Sequence, residues 1–475
     1  MDLIAELKAL LGDGQVLTGK EVADRGQDHD ATGKRRWAPL AVARPADTAG
    51  VAEVMKRASR AGVPVVPVCG NTGLAGGTLA EGALMLSLER LNRIREIRPE
   101  ARVAVVEAGV ILSRLHDAAD AKGLYFPLWF GARGSAMIGG ALSTNAGGSN
   151  VLRYGNTRAL CLGLEVVLAD GRVMNLMGAL HKDNSGYDLK DLVIGAEGTL
   201  GIITAATLKL VPKPAAHATA MVAAPSLPAA LDLLNRLQSA SGGAVEAFEY
   251  MPRSYMERYR ICHPDERPPF ETTHDVTLLV ELGATAPRDA TPGPDGQPPV
   301  VTLLEETLAA MMEEGLVLDA LVARSEAQRM EMWARREAAA EITFSRQPLV
   351  DNDIAVPLDR VESFVTRMAE RLPRIDPGAE EITVAHLGDG NLHYTVWPTA
   401  ADPALHDRIR EGVEDVVAEL GGSFSAEHGV GVSKLPTMSR RKDPVALAVM
   451  RSIKQALDPQ GLLNPGKVIP GGGAA

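Results

Sequence analysis

Five short apolar runs, VPVVPV, ALMLSL, VAVVEAGV, LGLEVVLADG and LGIITAATLKLV, lie between residues 63 and 211 and alternate with glycine-rich turns and short helical patterns. That texture of short runs and glycine-rich turns predicts an α+β fold rather than a regular doubly wound domain, in which long helices connect parallel strands. ADTAGVAEVMKRASRAG, with a capping residue and a three-to-four period, reads as a helix. After VPKPAA the texture changes. From residue 217 to 445, longer amphipathic helices such as LPAALDLLNRLQSA and VTLLEETLAAMMEEG alternate with strands such as VEAFEYM and VTLLVEL. That pattern predicts helices packed on one face of an antiparallel sheet.

At 475 residues the chain is too long for one ordinary core. The expected division is an N-terminal helical segment at 1–34, a first domain at 35–213, a second at 214–445, and a turn-rich C-terminal segment at 446–475. GATAPRDATPGPDGQPP, residues 283–299, is too rich in proline and glycine for a core and reads as an exposed, mobile loop. A net charge of -11 argues against nucleic acid or an anionic membrane as partner, since either needs a basic face. Cys69, Cys161 and Cys262 are far apart and lack metal-ligand spacing, which fits a reducing compartment. The N-terminus carries Asp2 and Glu6 where a secretory signal carries positive charge, and no apolar run reaches the roughly 18 to 20 residues of a membrane span. A soluble, cytoplasmic protein is expected. Peripheral membrane attachment stays open, and a homodimer is the base-rate expectation.

Three glycine-rich loops stand in the first domain: PVCGNTGLAGGT at 67–78, GARGSAMIGGALSTNAGGSN at 131–150, and DLVIGAEGTLGIIT at 191–204. The first has no Walker or GxGxxG pattern, but its glycines let backbone N–H groups converge on an anion such as a pyrophosphate. Three such loops in one domain suggest a long cofactor threaded between backbone segments; tight hairpins are the plain alternative.

In the second domain, HLGDGNLH places His386 and His393 seven residues apart. On an unbroken strand that spacing points them to opposite faces, and two glycines within three residues oppose a helix. A tight turn over LGDGN would let both rings converge. Two imidazoles with one carboxylate can bind zinc or manganese. The acid has a candidate in Glu427 of SAEHGVG, followed by His428; Asp389 ranks second because its glycine neighbours suggest a turn role. Adjacent strand residues face opposite ways, so Glu427 and His428 can share a site only if the strand ends or bulges there.

As a set, GNTGLAGG, GGALSTNAGG, YGNTRALCLGLEVVLADG, KDNSGYDLKDLVIGAEGTLGIIT, HLGDGNLHY, AEHGVG and DPQGLLNPGKV resemble FAD-linked oxidoreductases of the vanillyl-alcohol oxidase type, and within them the D-2-hydroxy-acid dehydrogenases. The resemblance runs from about residue 35 to 470. It implies a two-part FAD-binding domain, completed by the C-terminal segment, and a cap domain that receives substrate. The flavin contacts would come from Pro67, Gly70, Asn71, Thr72, Gly73, Leu74, Gly76 and Gly77 around the pyrophosphate. Gly134, Ser135, Ile138, Gly139, Gly140, Thr144, Asn145 and Gly147 would follow, then Gly198, Ile203 and Asn464. The first loop has no histidine, which implies noncovalent FAD.

The resemblance further implies that His386, His393 and Glu427 hold the metal, that His428 is the base, and that Arg336, rather than Arg335, binds the substrate carboxylate. A D-2-hydroxy acid of the D-lactate or D-2-hydroxyglutarate type would lose a hydride to flavin N5. Electrons would pass to an electron-transfer flavoprotein, a quinone or a cytochrome. One departure matters: where dicarboxylate-binding members carry a lysine, LVDNDIAVP has Asp351 and Asn352, and Ala340 and Thr395 also differ. Two other readings are the flavin-bearing subunit of a larger complex and a colourless metal-dependent hydrolase.

Overall fold

The short apolar runs form strands, and the polypeptide sorts them into two units in a computed structural model that describes residues 2–294 and 296–471. The first unit comprises the chain up to residue 147, residues 155–212, and the chain from 427 onward; the second comprises 148–154 and 213–426.

In the first unit, Ala41–Ala43, Leu84–Ser87 and Val65–Val68 pair in parallel, with Val16–Leu17 antiparallel at one edge. A second sheet of five strands is antiparallel throughout, in the order Ile94–Arg98, Val103–Glu107, Ile202–Lys209, Cys161–Val167, Val173–Leu176. The helix Thr48–Ala61 starts where the Asp47 side chain accepts from the Gly50 amide. It packs Val51 and Met55 onto the parallel sheet. Leu3 and Leu7 of the Leu3–Leu11 helix join the same core, so residues 1–34 belong to this unit rather than forming a separate segment. The second unit likewise gives way to the first at residue 427 rather than 445, and it takes in residues 148–154.

The second unit is built on seven antiparallel strands, in the order Asp319–Val322, Ala216–Ala224, Val276–Ala284, Val245–Pro252, Glu380–His386, Asn391–Trp397, Val350–Ala355. Strand alternation gives each face its own character. One face presents Phe248, Val280, Leu282, Leu392 and Val396 to the helices Leu227–Ser241, Pro299–Glu313, Val361–Ile375 and Pro403–Glu419. Helices also occupy the opposite face, contrary to the one-sided expectation. Tyr255, Met332, Trp333 and Ile342 pack there against Met221, Met251, Leu279 and Val384. That second cluster is small, and beside it the same face carries the buried polar residues Glu249, His386, Asn391 and Asp353. Within 283–299, Pro287–Ala290 is helical and Ala290 is buried, so part of the expected loop is structured by packing. Among the described residues, no helix is long and apolar enough to cross a membrane.

Candidate active site

His386 ends one strand and His393 is the third residue of the next, with Leu387 to Gly390 as the turn between them. The register pairs His386 with Asn391 and Val384 with His393. The four-residue turn resets the alternation, so both imidazoles emerge on the polar face, edge to face with centroids 5.5 Å apart. Gly390 makes the turn possible: its φ is +78°, and a Cβ there would collide with the Val356 carbonyl. Asp389 plays the turn role, accepting from the Asn391 amide at 3.1 Å. Leu152, from the inserted 148–154 segment, packs where a Gly388 side chain would lie.

The glutamate beside them was not anticipated. Glu249 is 1% exposed on the neighbouring strand, in register with His386. One oxygen lies 2.9 Å from His386 Nδ1, and the other accepts from Arg336 Nε at 2.6 Å. Burial alone would raise this carboxyl; the His386 and Arg336 charges outweigh it and hold it down at about 2. A carboxylate on Nδ1 favours the tautomer that leaves Nε2 as the ligand atom. Arg336 Nη2 lies 3.4 Å from His386 Nδ1, whereas Arg335 turns away to the Arg267 carbonyl and Glu331. Asp353, 2% exposed, pairs in register with His393 and lies 4.0 Å from its Nδ1, while Asn391 Nδ2 donates to it at 3.1 Å. Two imidazoles with a neighbouring carboxylate form a donor set suited to a divalent ion. No sequence motif marked Glu249 or Asp353; an acid alternating with apolar residues in VEAFEYM was the one available signal.

Glu427 and His428 begin the segment that returns to the first unit. The preceding residue, Ala426, donates its amide to the Asp353 carbonyl at 3.3 Å. No strand runs through 427 and 428, which removes the alternation that would have separated the two side chains. Further on, the Val430 and Gly431 amides donate to Glu197 at 2.7 and 2.9 Å.

The glycine-rich loops converge within the first unit. A Cβ at Gly70, whose φ is +60°, would lie 2.6 Å from the Ser135 carbonyl, so the first two loops meet backbone to backbone. Pro67 packs on Gly198, and Asn464 Nδ2 donates to the Gly77 and Glu197 carbonyls at 3.0 and 2.7 Å. Asn71 bonds the His29 carbonyl and Thr78; Asn145 accepts from the Arg158 amide. Gly139, Gly140 and Thr144 lie on the helix Ile138–Thr144, Gly134 and Ser135 lead into it, and Ile203 is buried in its strand. Among the described residues, the amides of Thr72, Gly73, Leu74, Gly76 and Gly77 donate no hydrogen bond. Consecutive unsatisfied amides in a glycine loop form an anion cradle, which fits a dinucleotide pyrophosphate.

Residues 39–177 match the FAD binding domain and residues 213–468 the FAD linked oxidases, C-terminal domain. The chain is 37% identical to a D-2-hydroxyglutarate dehydrogenase of Xanthomonas citri pv. viticola, over 91% of this chain and 90% of the relative. It is 36% identical to the mitochondrial D-2-hydroxyglutarate dehydrogenase of Bos taurus, over 90% and 76%. Among solved structures, p-cresol methylhydroxylase with substrate bound superposes with a TM-score of 0.75 at 16% identity, over 98% of this chain and 96% of that one.

Proposed function

This chain belongs to the FAD-linked oxidase family, and from that premise we propose that it oxidises a D-2-hydroxy acid to the 2-oxo acid. The observation that carries the reading is the Arg336–Glu249–His386 array beside His393. When bound, FAD supplies a hydride acceptor at N5 and a divalent ion polarises the hydroxyl oxygen of the substrate.

The chain's own residues do the rest. His386 and His393, with Glu427, would hold the ion, and Asp353 flanks His393 as an alternative acid. Arg336 binds the substrate carboxylate through its guanidinium edge, kept in place by Glu249. His428 takes the hydroxyl proton as the α-hydrogen leaves with its electron pair. The glycine loops of the first unit bind the cofactor through main-chain donors and leave no room for bulky side chains at Gly70. Two electrons and two protons thus leave the substrate, for which FAD held by these loops would be the hydride acceptor and an acceptor other than NAD the onward destination.

The test is anaerobic. A D-2-hydroxy acid should bleach the flavin absorbance of the purified protein, and His428→Ala should retain the flavin but lose the bleaching. A protein purified without flavin and unable to bind added FAD would refute the reading.

A further inference from the structure

Resting on the reading above, we infer that Glu197 is a positioning residue for the reaction: its buried carboxylate ties the segment bearing Glu427 and His428 to the glycine loops that would cradle the cofactor. Glu197 stands in the third of those loops, is 9% exposed, and adopts a φ of +50°. A left-handed backbone is uncommon outside glycine and asparagine, and burying an ionisable group is costly. Such features persist at one residue where the surroundings over-determine them, and they cluster at functional sites.

Each polar group of Glu197 reaches a different part of the first unit. Its amide donates to the Ser143 carbonyl at 2.8 Å, on the helix Ile138–Thr144. Its carbonyl accepts from Asn464 Nδ2 at 2.7 Å, and the same nitrogen donates to the Gly77 carbonyl of the first loop at 3.0 Å. One carboxylate oxygen accepts from the Val430 amide at 2.7 Å and the other from the Gly431 amide at 2.9 Å, both in AEHGVG. Gly429 leaves space for this contact, since a Cβ there would lie 2.7 Å from Glu197 Oε1. Immediately beyond, the Val432 and Ser433 amides donate to the Ala75 carbonyl of the first loop at 3.0 and 3.1 Å. Residues 430–433 are therefore gripped from two loops. His428 stands two residues before the first anchored amide, at most about 7 Å along the chain, so the anchor limits where its ring can lie. A carboxylate suits the task because it presents acceptors to both amides, whereas a glutamine presents one acceptor and one donor.

Two measurements on the holoprotein test this. Glu197→Ala should retain FAD, because the backbone bonds to Ser143 and Asn464 remain. Hydrogen–deuterium exchange over residues 427–434 should accelerate by at least about tenfold, while exchange over 386–393 stays as in the parent. In anaerobic stopped flow with D-2-hydroxyglutarate and D-lactate, the limiting rate of flavin reduction should fall by about a hundredfold. The half-saturating substrate concentration should not change, since Arg336 still binds the carboxylate. Glu197→Gln, which keeps the size of the side chain and one acceptor, should fall between parent and alanine variant, and it keeps the test readable if the alanine variant does not fold. Faster exchange with an unchanged limiting rate gives Glu197 a structural role only and overturns the inference. So does exchange that is unchanged or equally faster in both stretches, a change confined to half-saturation, or loss of flavin from Glu197→Gln. Each of these leaves the dehydrogenase reading intact. A parent protein that neither acid bleaches overturns both.

Discussion

Glu249 and His386 stand directly opposite each other on adjacent antiparallel strands, carboxylate to Nδ1 at 2.9 Å, although 137 residues separate them in sequence. The same carboxylate holds Arg336, so one buried acid orients both a candidate metal ligand and the candidate substrate cation.

Glu249→Gln keeps the size of the side chain but removes its charge. Metal affinity should fall about 10- to 100-fold, because the imidazole loses the partner that fixes its tautomer. Competition against a chromophoric chelator measures this independently of turnover. Stability should also fall, by about 3 kcal/mol in chemical denaturation, because Arg336 is buried and would be left without its counter-charge.

His393→Ala should leave the flavin spectrum unchanged and remove the bound metal, since the cofactor loops lie in the other unit. Elemental analysis checks the metal. The rate of flavin reduction should drop by at least about a thousandfold if the ion polarises the hydroxyl oxygen.

Gly390→Ala and Gly388→Ala should differ sharply. At Gly390 the new methyl meets the rigid Val356 carbonyl with φ at +78°, and stability should fall by at least about 2 kcal/mol. At Gly388 it meets the flexible end of Leu152, which can rotate, and φ is not in the left-handed region. That change should cost under about 1 kcal/mol. Urea denaturation of both variants separates the two effects.

Burial pushes the Glu197 carboxyl above its ordinary 4.5, against the opposing hydrogen bonds from Val430 and Gly431. A raised acid binds its proton more tightly in the folded state. Its contribution is therefore fully present below pH 4.5 and is lost as pH rises through the folded value. Glu197→Gln should flatten that part of the curve of melting temperature against pH, with the largest gain relative to the parent at neutral pH. Thermal melts from acid to neutral pH are the measurement.

The residues of HLGDGNLH were enough to require a turn, because two histidines seven apart cannot share a strand face and two glycines oppose a helix. The α+β class was legible for a similarly local reason: the short apolar runs alternate with glycine-rich turns rather than with long regular helices. Period and turn chemistry belong to neighbouring residues, and a sequence states them directly. Which strands become neighbours is a long-range matter. Glu249 and Asp353 each read as ordinary alternating strand acids until the sheet order set one beside His386 and the other beside His393. The helices on the second face, and the loss of the N-terminal segment's independence, were decided in the same way. Local periodicity shows which side of a strand is polar; only the packed sheet decides what that side meets.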